Sequence, residues 1–91
     1  MNYTRSEKEK IWTEIGRRLK DARKKRNGSQ LDVCRELHIS QGELSKLENG
    51  TKEIGLFRLA ELAGLYGIDL VKFLPDALLK PEKFLTHPTR G

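Results

Sequence analysis

Ser29-Gln30-Leu31-Asp32-Val33-Cys34-Arg35-Glu36-Leu37-His38-Ile39-Ser40-Gln41-Gly42-Glu43-Leu44-Ser45-Lys46-Leu47-Glu48-Asn49-Gly50 reads as two short helices joined by a tight turn. Each helix opens on a serine followed by a glutamine, and the second closes on Glu48-Asn49-Gly50. Ser29 suits an N-cap, because its hydroxyl accepts from orphan N–H groups of the first turn, and Asp32 there complements the helix dipole. Val33, Cys34 and Leu37 supply the inward face. The link Leu37-His38-Ile39-Ser40 is too short for anything but a sharp turn. Ser40-Gln41-Gly42-Glu43 has the form of a capping box, in which serine and glutamate each satisfy the other's backbone N–H. Leu44 and Leu47 then point inward at i, i+3, leaving Gln41, Gly42, Ser45 and Lys46 on or near the outer face. A helix with a small polar outer face, held by a preceding helix, is what a major groove accepts. Reading of DNA sequence is therefore the leading expectation.

Upstream, Ile11, Trp12, Ile15, Leu19 and Ala22 form one apolar stripe of a long first helix. Ser6-Glu7-Lys8-Glu9 fits a capping box at its start, with Thr4-Arg5-Ser6-Glu7 as a competing one. Asn27-Gly28 should end it, since both residues tolerate the left-handed conformation. Downstream, Thr51–Gly55 is a loop, followed by a helix over Leu56–Tyr66. Leu56, Leu59, Ala60, Ala63 and Tyr66 are expected inward and Gly67 is expected as the stop. Asp69 caps a short fifth helix, Leu70–Leu74, which Pro75 terminates. Asp76–Leu79 adds at most one more turn. Phe84 and Leu85 follow in a tail too apolar for a free end, which docks on its own core or meets a second subunit.

At 91 residues the chain allows one domain with a modest core. A single cysteine excludes a disulfide framework, and two histidines leave little for a zinc site. Met1–Lys10 is too polar for a signal peptide, and Leu56–Leu74 is broken by Arg58, Glu61, Asp69 and Lys72, so no membrane span is expected. The net charge of +5 is uneven. Met1–Arg26 holds ten Lys/Arg and four Asp/Glu, and the remainder eight and nine, giving +6 and −1. The excess sits on the first helix, at Arg17, Arg18, Lys20, Arg23, Lys24, Lys25 and Arg26. It either solvates a helix face or attracts a polyanion.

The ordered set resembles the lambda-repressor-like (Cro/C1, XRE-type) helix-turn-helix family. It runs from Ile15-Gly16-Arg17-Arg18-Leu19-Lys20 through Arg23 and Ser29-Gln30. It continues through Leu37-His38-Ile39-Ser40 and Ser45-Lys46-Leu47-Glu48-Asn49-Gly50 to Leu59-Ala60-Glu61-Leu62-Ala63, Tyr66-Gly67-Ile68 and Phe73-Leu74. The resemblance implies an all-α, compact five-helix domain over residues 1–75. Its first helix is extended, about 6–26, its helix-turn-helix covers 29–49, and a short C-terminal tail, 76–91, is available for dimer contact. It further implies that Gln41, Gly42, Ser45 and Lys46 face bases, and that Gln30, Ser40, Asn49 and Lys52 face phosphates. Arg23 and Glu48 match a structural ion pair bracing helix one against helix three. The chain departs from the family's usual residues at Gly28, Cys34, His38 and Gly42. Histidine adopts the left-handed turn at some cost. Gly42 weakens its helix by about 1 kcal/mol relative to alanine and offers no side chain to a base.

Cys34 and His38 stand at i, i+4, but with no further ligand nearby they read as a structural cysteine and a turn histidine; no metal or cofactor is expected. Trp12 reads as core, with a dimer contact as the lesser option, and His87 as a solvated tail residue. Glu43 accepts from a cytosine amino group or completes its cap, and the cap is the simpler role. No paired-carboxylate cleft, nucleotide loop or activated nucleophile supports an enzyme. The expectation is a cytoplasmic regulator, a homodimeric repressor on palindromic double-stranded DNA. Its rival is an antitoxin-like or anti-repressor module that uses the same scaffold on a protein partner.

Overall fold

The computed structural model describes residues 2–80, and every regular element among them is helical. The elements are α1 (Arg5–Lys25), α2 (Gln30–Leu37), α3 (Gln41–Asn49), α4 (Leu56–Tyr66), one 3-10 turn (Leu70–Phe73) and α5 (Asp76–Leu79). Phe84, Leu85 and His87 lie outside the described residues.

Of the two candidate starts for α1, Thr4 prevails over Ser6. The Glu7 N–H donates to Thr4 Oγ1 at 3.1 Å, and the Thr4 N–H donates to Glu7 Oε1 at 2.7 Å. The sequence offers both boxes equally. What separates them is distant: the Tyr3 hydroxyl donates to the Ala77 carbonyl, 2.8 Å away, and fixes the chain just before Thr4. At the other end Asn27 takes the left-handed conformation (φ 57°), whereas Gly28 does not. The Gly28 and Asn27 N–H groups donate back to the Arg23 and Lys24 carbonyls, a Schellman closure of the last turn.

The core joins Ile11, Ile15, Leu19 and Ala22 of α1 to Val33 and Cys34 of α2 and Ile39 of the turn. Leu44, Leu59, Leu62, Ala63, Tyr66 and Phe73 complete it, with Trp12 and Leu37 partly buried at its edge. Helix α1 packs chiefly on α3, and a glycine sets the distance between them. A Cβ on Gly16 would stand 2.5 Å from the Glu48 carbonyl oxygen and 2.6 Å from that of Leu47. Gly50, at φ 75°, closes α3 and abuts Thr13 of α1 in the same way.

Expectations at Leu56, Ala60 and Asp69 in the C-terminal half need correcting. Leu56 and Ala60 face outward, and Leu62, fully buried, takes the inward position. Leu-Phe-Arg-Leu-Ala-Glu-Leu-Ala-Gly-Leu-Tyr carries two overlapping apolar stripes, and only packing against α1 and the 3-10 turn selects between them. The fifth helix is a single 3-10 turn, and the Asp69 side chain makes no cap; its carbonyl instead accepts from the Lys72 N–H. The extra turn at Asp76–Leu79 does form.

Helix α1 also acts as a spine of arginine ties. Arg18 Nη1 donates to the Lys72 and Leu74 carbonyls at 3.1 and 3.2 Å, which closes the 3-10 turn. Arg26 Nη1 donates to the Leu65 carbonyl at 2.7 Å, near the end of α4. Arg17 and Arg18 flank Glu14 and hold its carboxyl down at about 2, chiefly through their hydrogen bonds.

Tyr66 is 5% exposed, and among the described residues its hydroxyl meets no hydrogen-bond partner. Burial, reinforced by the Glu48 charge, pushes it up to about 12. Unfolded tyrosine ionises near pH 10, so the stability tied to this proton is complete below pH 10 and falls as pH rises toward 12. Tyr66→Phe removes an unsatisfied polar group. It should leave the urea midpoint at pH 7 unchanged or raise it by up to about 1 kcal/mol equivalent, and flatten the alkaline limb. A loss above about 1 kcal/mol at pH 7 would mean that the hydroxyl has a stabilising partner.

Candidate nucleic-acid interface

The two inner helices are set by their caps. Ser29 and Asp32 form a reciprocal capping box, with the Asp32 N–H donating to Ser29 Oγ at 3.1 Å and the Ser29 N–H to Asp32 Oδ2 at 3.2 Å. Those bonds hold the Asp32 carboxyl below its ordinary range. His38 ends α2 in the left-handed conformation at φ 56°, ψ 46°, which lets the chain reverse within the short link. Ser40 then caps α3, its Oγ accepting from the Glu43 N–H at 3.0 Å.

Here the expected capping box is only half made. The Glu43 carboxylate leaves the Ser40 backbone and lies 3.9 Å from both Lys52 Nζ and Arg58 Nε. Two cations arriving from the following loop and from α4 attract it more than one backbone N–H does. Arg58 continues the brace, donating from Nη1 to Glu61 at 2.8 Å and to the Leu37 carbonyl at 3.5 Å. The loop after α3 is thus tied to the turn before it, a role for Glu43 and Arg58 that the sequence did not disclose. A lone arginine on an apolar helix was the available signal.

The centre of the surface is a buried ion pair. Arg23 Nε and Nη2 donate to Glu48 Oε2 and Oε1 at 2.7 and 2.9 Å, with Glu48 only 1% exposed in its side chain and Arg23 10%. Arg23 Nη1 also reaches the Gly28 carbonyl at 3.0 Å, so one guanidinium joins α1, the loop before α2, and α3. The Glu48 carboxylate raises the Arg23 pKa above its usual value.

Gln30 extends this pair to the surface. Its Nε2 donates to Glu48 Oε1 at 3.0 Å, while its Oε1 accepts from Ser45 Oγ at 3.1 Å and from Gln41 Nε2 at 3.4 Å. A primary amide has two N–H donors, so Gln30 keeps one N–H free at the start of α2. Gln41 likewise keeps its carbonyl oxygen and one N–H, an acceptor–donor pair on one planar group. The structure therefore brings Gln30, Gln41, Ser45, Glu48 and Arg23 into one continuous network. Gln41, Gly42, Lys46 and Asn49 are exposed beside it, and Ser45 is half-buried. Ser40 directs its oxygen at its own helix, and Lys52 stands by Glu43, outside the network.

The charge on α1 is distributed differently from its sequence density. Arg17, Arg18, Arg23 and Arg26 are engaged by carboxylates or carbonyls, as above. Lys20, Lys24 and Lys25, like Lys8 and Lys10 nearer its start, have no ion pair among the described residues and make up the free cationic part of the helix. Among the described residues no cluster of three or more His, Cys, Asp or Glu is placed to hold a metal ion. No described helix is long and apolar enough to cross a membrane.

A family model described as helix-turn-helix matches residues 19–73. Among solved structures, the crystal structure of the DNA-binding domain of BldD is similar with a TM-score of 0.67 and 25% identity, covering 74% of this chain and 97% of that one. The BldD DNA-binding domain of S. venezulae gives a TM-score of 0.66 and 25% identity, over 72% and 99%. No curated protein matches.

Proposed function

This chain belongs to the Cro/C1-type (XRE) helix-turn-helix family of DNA-binding transcription regulators, and from that premise we propose that it is a repressor acting as a homodimer on a palindromic operator. The observation that supports sequence reading is the Gln30 network. It presents Gln41 with a free acceptor and a free donor, the pattern that matches adenine N6 and N7 in the major groove. In this reading α3 enters the groove, with Gln41, Ser45 and Lys46 on base edges. Gly42 contributes only close backbone approach. Gln30 gives its remaining N–H to a phosphate at the α2 N-terminus, where the dipole favours an anion. Ser40, Asn49 and Lys52 contact the flanking backbone. Residues 1–75 carry this activity.

Because the reading face is small, DNA shape contributes to specificity alongside direct contacts. Phosphate neutralisation by Lys20, Lys24, Lys25 and Lys52 sets the salt dependence. Selection of bound duplexes from a random-sequence pool tests the reading. The expected product is a palindrome with half-sites about 34 Å, one helical turn, apart. A pool that remains random after selection contradicts it.

A further inference from the structure

Helix α3 carries two acids, the buried Glu48 and Glu43, and Glu43 stands on a surface that the reading above turns toward a polyanion. Its carboxylate accepts no hydrogen bond among the described residues. Instead Oε2 lies 3.9 Å from Lys52 Nζ and 3.9 Å from Arg58 Nε, so two cations from separate elements converge on one anionic oxygen. That distance exceeds hydrogen-bond reach, and charge attraction alone holds the group there. All three side chains are partly exposed, so an entering ion can reach them.

Arg58 is already aimed. Its Nη1 donates to Glu61 Oε1 at 2.8 Å and to the Leu37 carbonyl at 3.5 Å, which fixes the guanidinium. Its Nε and Nη2 make no hydrogen bond among the described residues, so one edge of the fork is unspent. Such an edge fits two oxygens of a phosphodiester, and the lysine ammonium beside it adds a point charge. The position suits that chemistry. Glu43 precedes Lys46 by three residues and shares its side of α3, while Lys52 lies in the loop that leaves the helix. With α3 in a major groove, this flank faces the sugar–phosphate wall.

From this convergence we infer that Lys52 and Arg58 together form a seat for one DNA phosphate, which the Glu43 carboxylate occupies in the free chain. The inference rests on the reading of α3 as the helix that enters the groove. An arriving phosphate competes with the carboxylate for the same two cations, and no covalent bond changes. Removing the Glu43 charge leaves the seat one charge more positive. Glu43 therefore weakens binding to any duplex by the same factor, because phosphate oxygens carry no sequence information. It sets affinity and salt dependence, and leaves the choice between sequences to Gln41, Ser45 and Lys46.

The test is fluorescence anisotropy over a salt series, with the full chain, Glu43→Gln and Arg58→Gln, on the selected palindrome and on a scrambled duplex. Glu43→Gln should tighten binding to both duplexes by about three- to tenfold at physiological salt, and steepen log affinity against log salt by about one. Arg58→Gln should weaken binding to both and make the slope shallower by about one. A purely structural role for Arg58 would move the melting temperature and the affinity but not the slope. Wild-type affinity and slope in Glu43→Gln, or a wild-type slope in Arg58→Gln, would overturn the inference. A Glu43→Gln gain confined to the palindrome would place the carboxylate at a base and overturn it as well. A wild-type chain that binds both duplexes alike removes the operator reading alone, since the slopes still decide the seat on either duplex. A chain that binds neither removes both.

Discussion

Glu48→Ala is expected to lower stability by about 3–5 kcal/mol, because it leaves the Arg23 guanidinium buried without its partner. That is a large part of the total stability of a domain of this size. The cost is greater than for an exposed pair, since Glu48 is only 1% exposed and water cannot take over from the lost carboxylate. The same carboxylate anchors Gln30, so the substitution also frees the groups that orient Gln41 and Ser45. Urea denaturation measures the first effect. The second is isolated by Arg23→Met combined with Glu48→Leu, which removes both charges. Such double replacements are often near neutral for stability, yet this one should still weaken binding to the selected duplex, because Gln30 has lost its acceptor. A Glu48→Ala loss below about 1 kcal/mol would show that the pair is solvated.

Gly16→Ala should destabilise the domain by about 3 kcal/mol through a single added methyl. Its Cβ would lie 2.5 and 2.6 Å from two backbone carbonyl oxygens of α3, and backbone inside a helix cannot move aside as a flexible side-chain tip would. Helix α1 must then separate from α3, which strains the Arg23–Glu48 geometry as well. The same substitution at Gly64, where nothing lies within 4 Å, should instead stabilise by about 0.5–1 kcal/mol through helix propensity. Thermal melts of the two variants side by side provide the check. Equal melting temperatures would contradict the close crossing of α1 and α3.

The contrast between these glycines marks what was legible in the sequence. Features that depend on a few neighbouring residues could be read directly: the Ser29 and Ser40 caps, the inward leucines of α3, the left-handed His38, and Gly50 and Gly67 as helix stops. Features decided by distant partners could not. The choice of Thr4 over Ser6 depends on Tyr3 reaching Ala77, and the incomplete cap at Glu43 depends on Lys52 and Arg58. The outward turn of Leu56 and Ala60 depends on which of two apolar stripes finds the core. The arginines at Arg17, Arg18, Arg23 and Arg26 looked like a DNA-facing run, yet three of them tie α1 or its C-cap to other elements and Arg17 pairs with carboxylates of its own helix. Local chemistry defines the frame of such a domain; long-range contacts decide which polar groups are left for a ligand.

The Gln30 network turns that frame into a claim about function, because it fixes the exposed Gln41 and the half-buried Ser45 in one arrangement. Fluorescence anisotropy with the selected palindrome and with a scrambled duplex at the same salt concentration tests this most directly, comparing the wild-type chain with Gln41→Ala/Ser45→Ala. The wild-type chain should prefer the palindrome by about 10³-fold or more. The double variant, with an unchanged melting temperature, should lose at least about tenfold of that preference, since each base contact contributes about 1–3 kcal/mol. Equal binding to the two duplexes, or a preference that survives both substitutions, would contradict that claim.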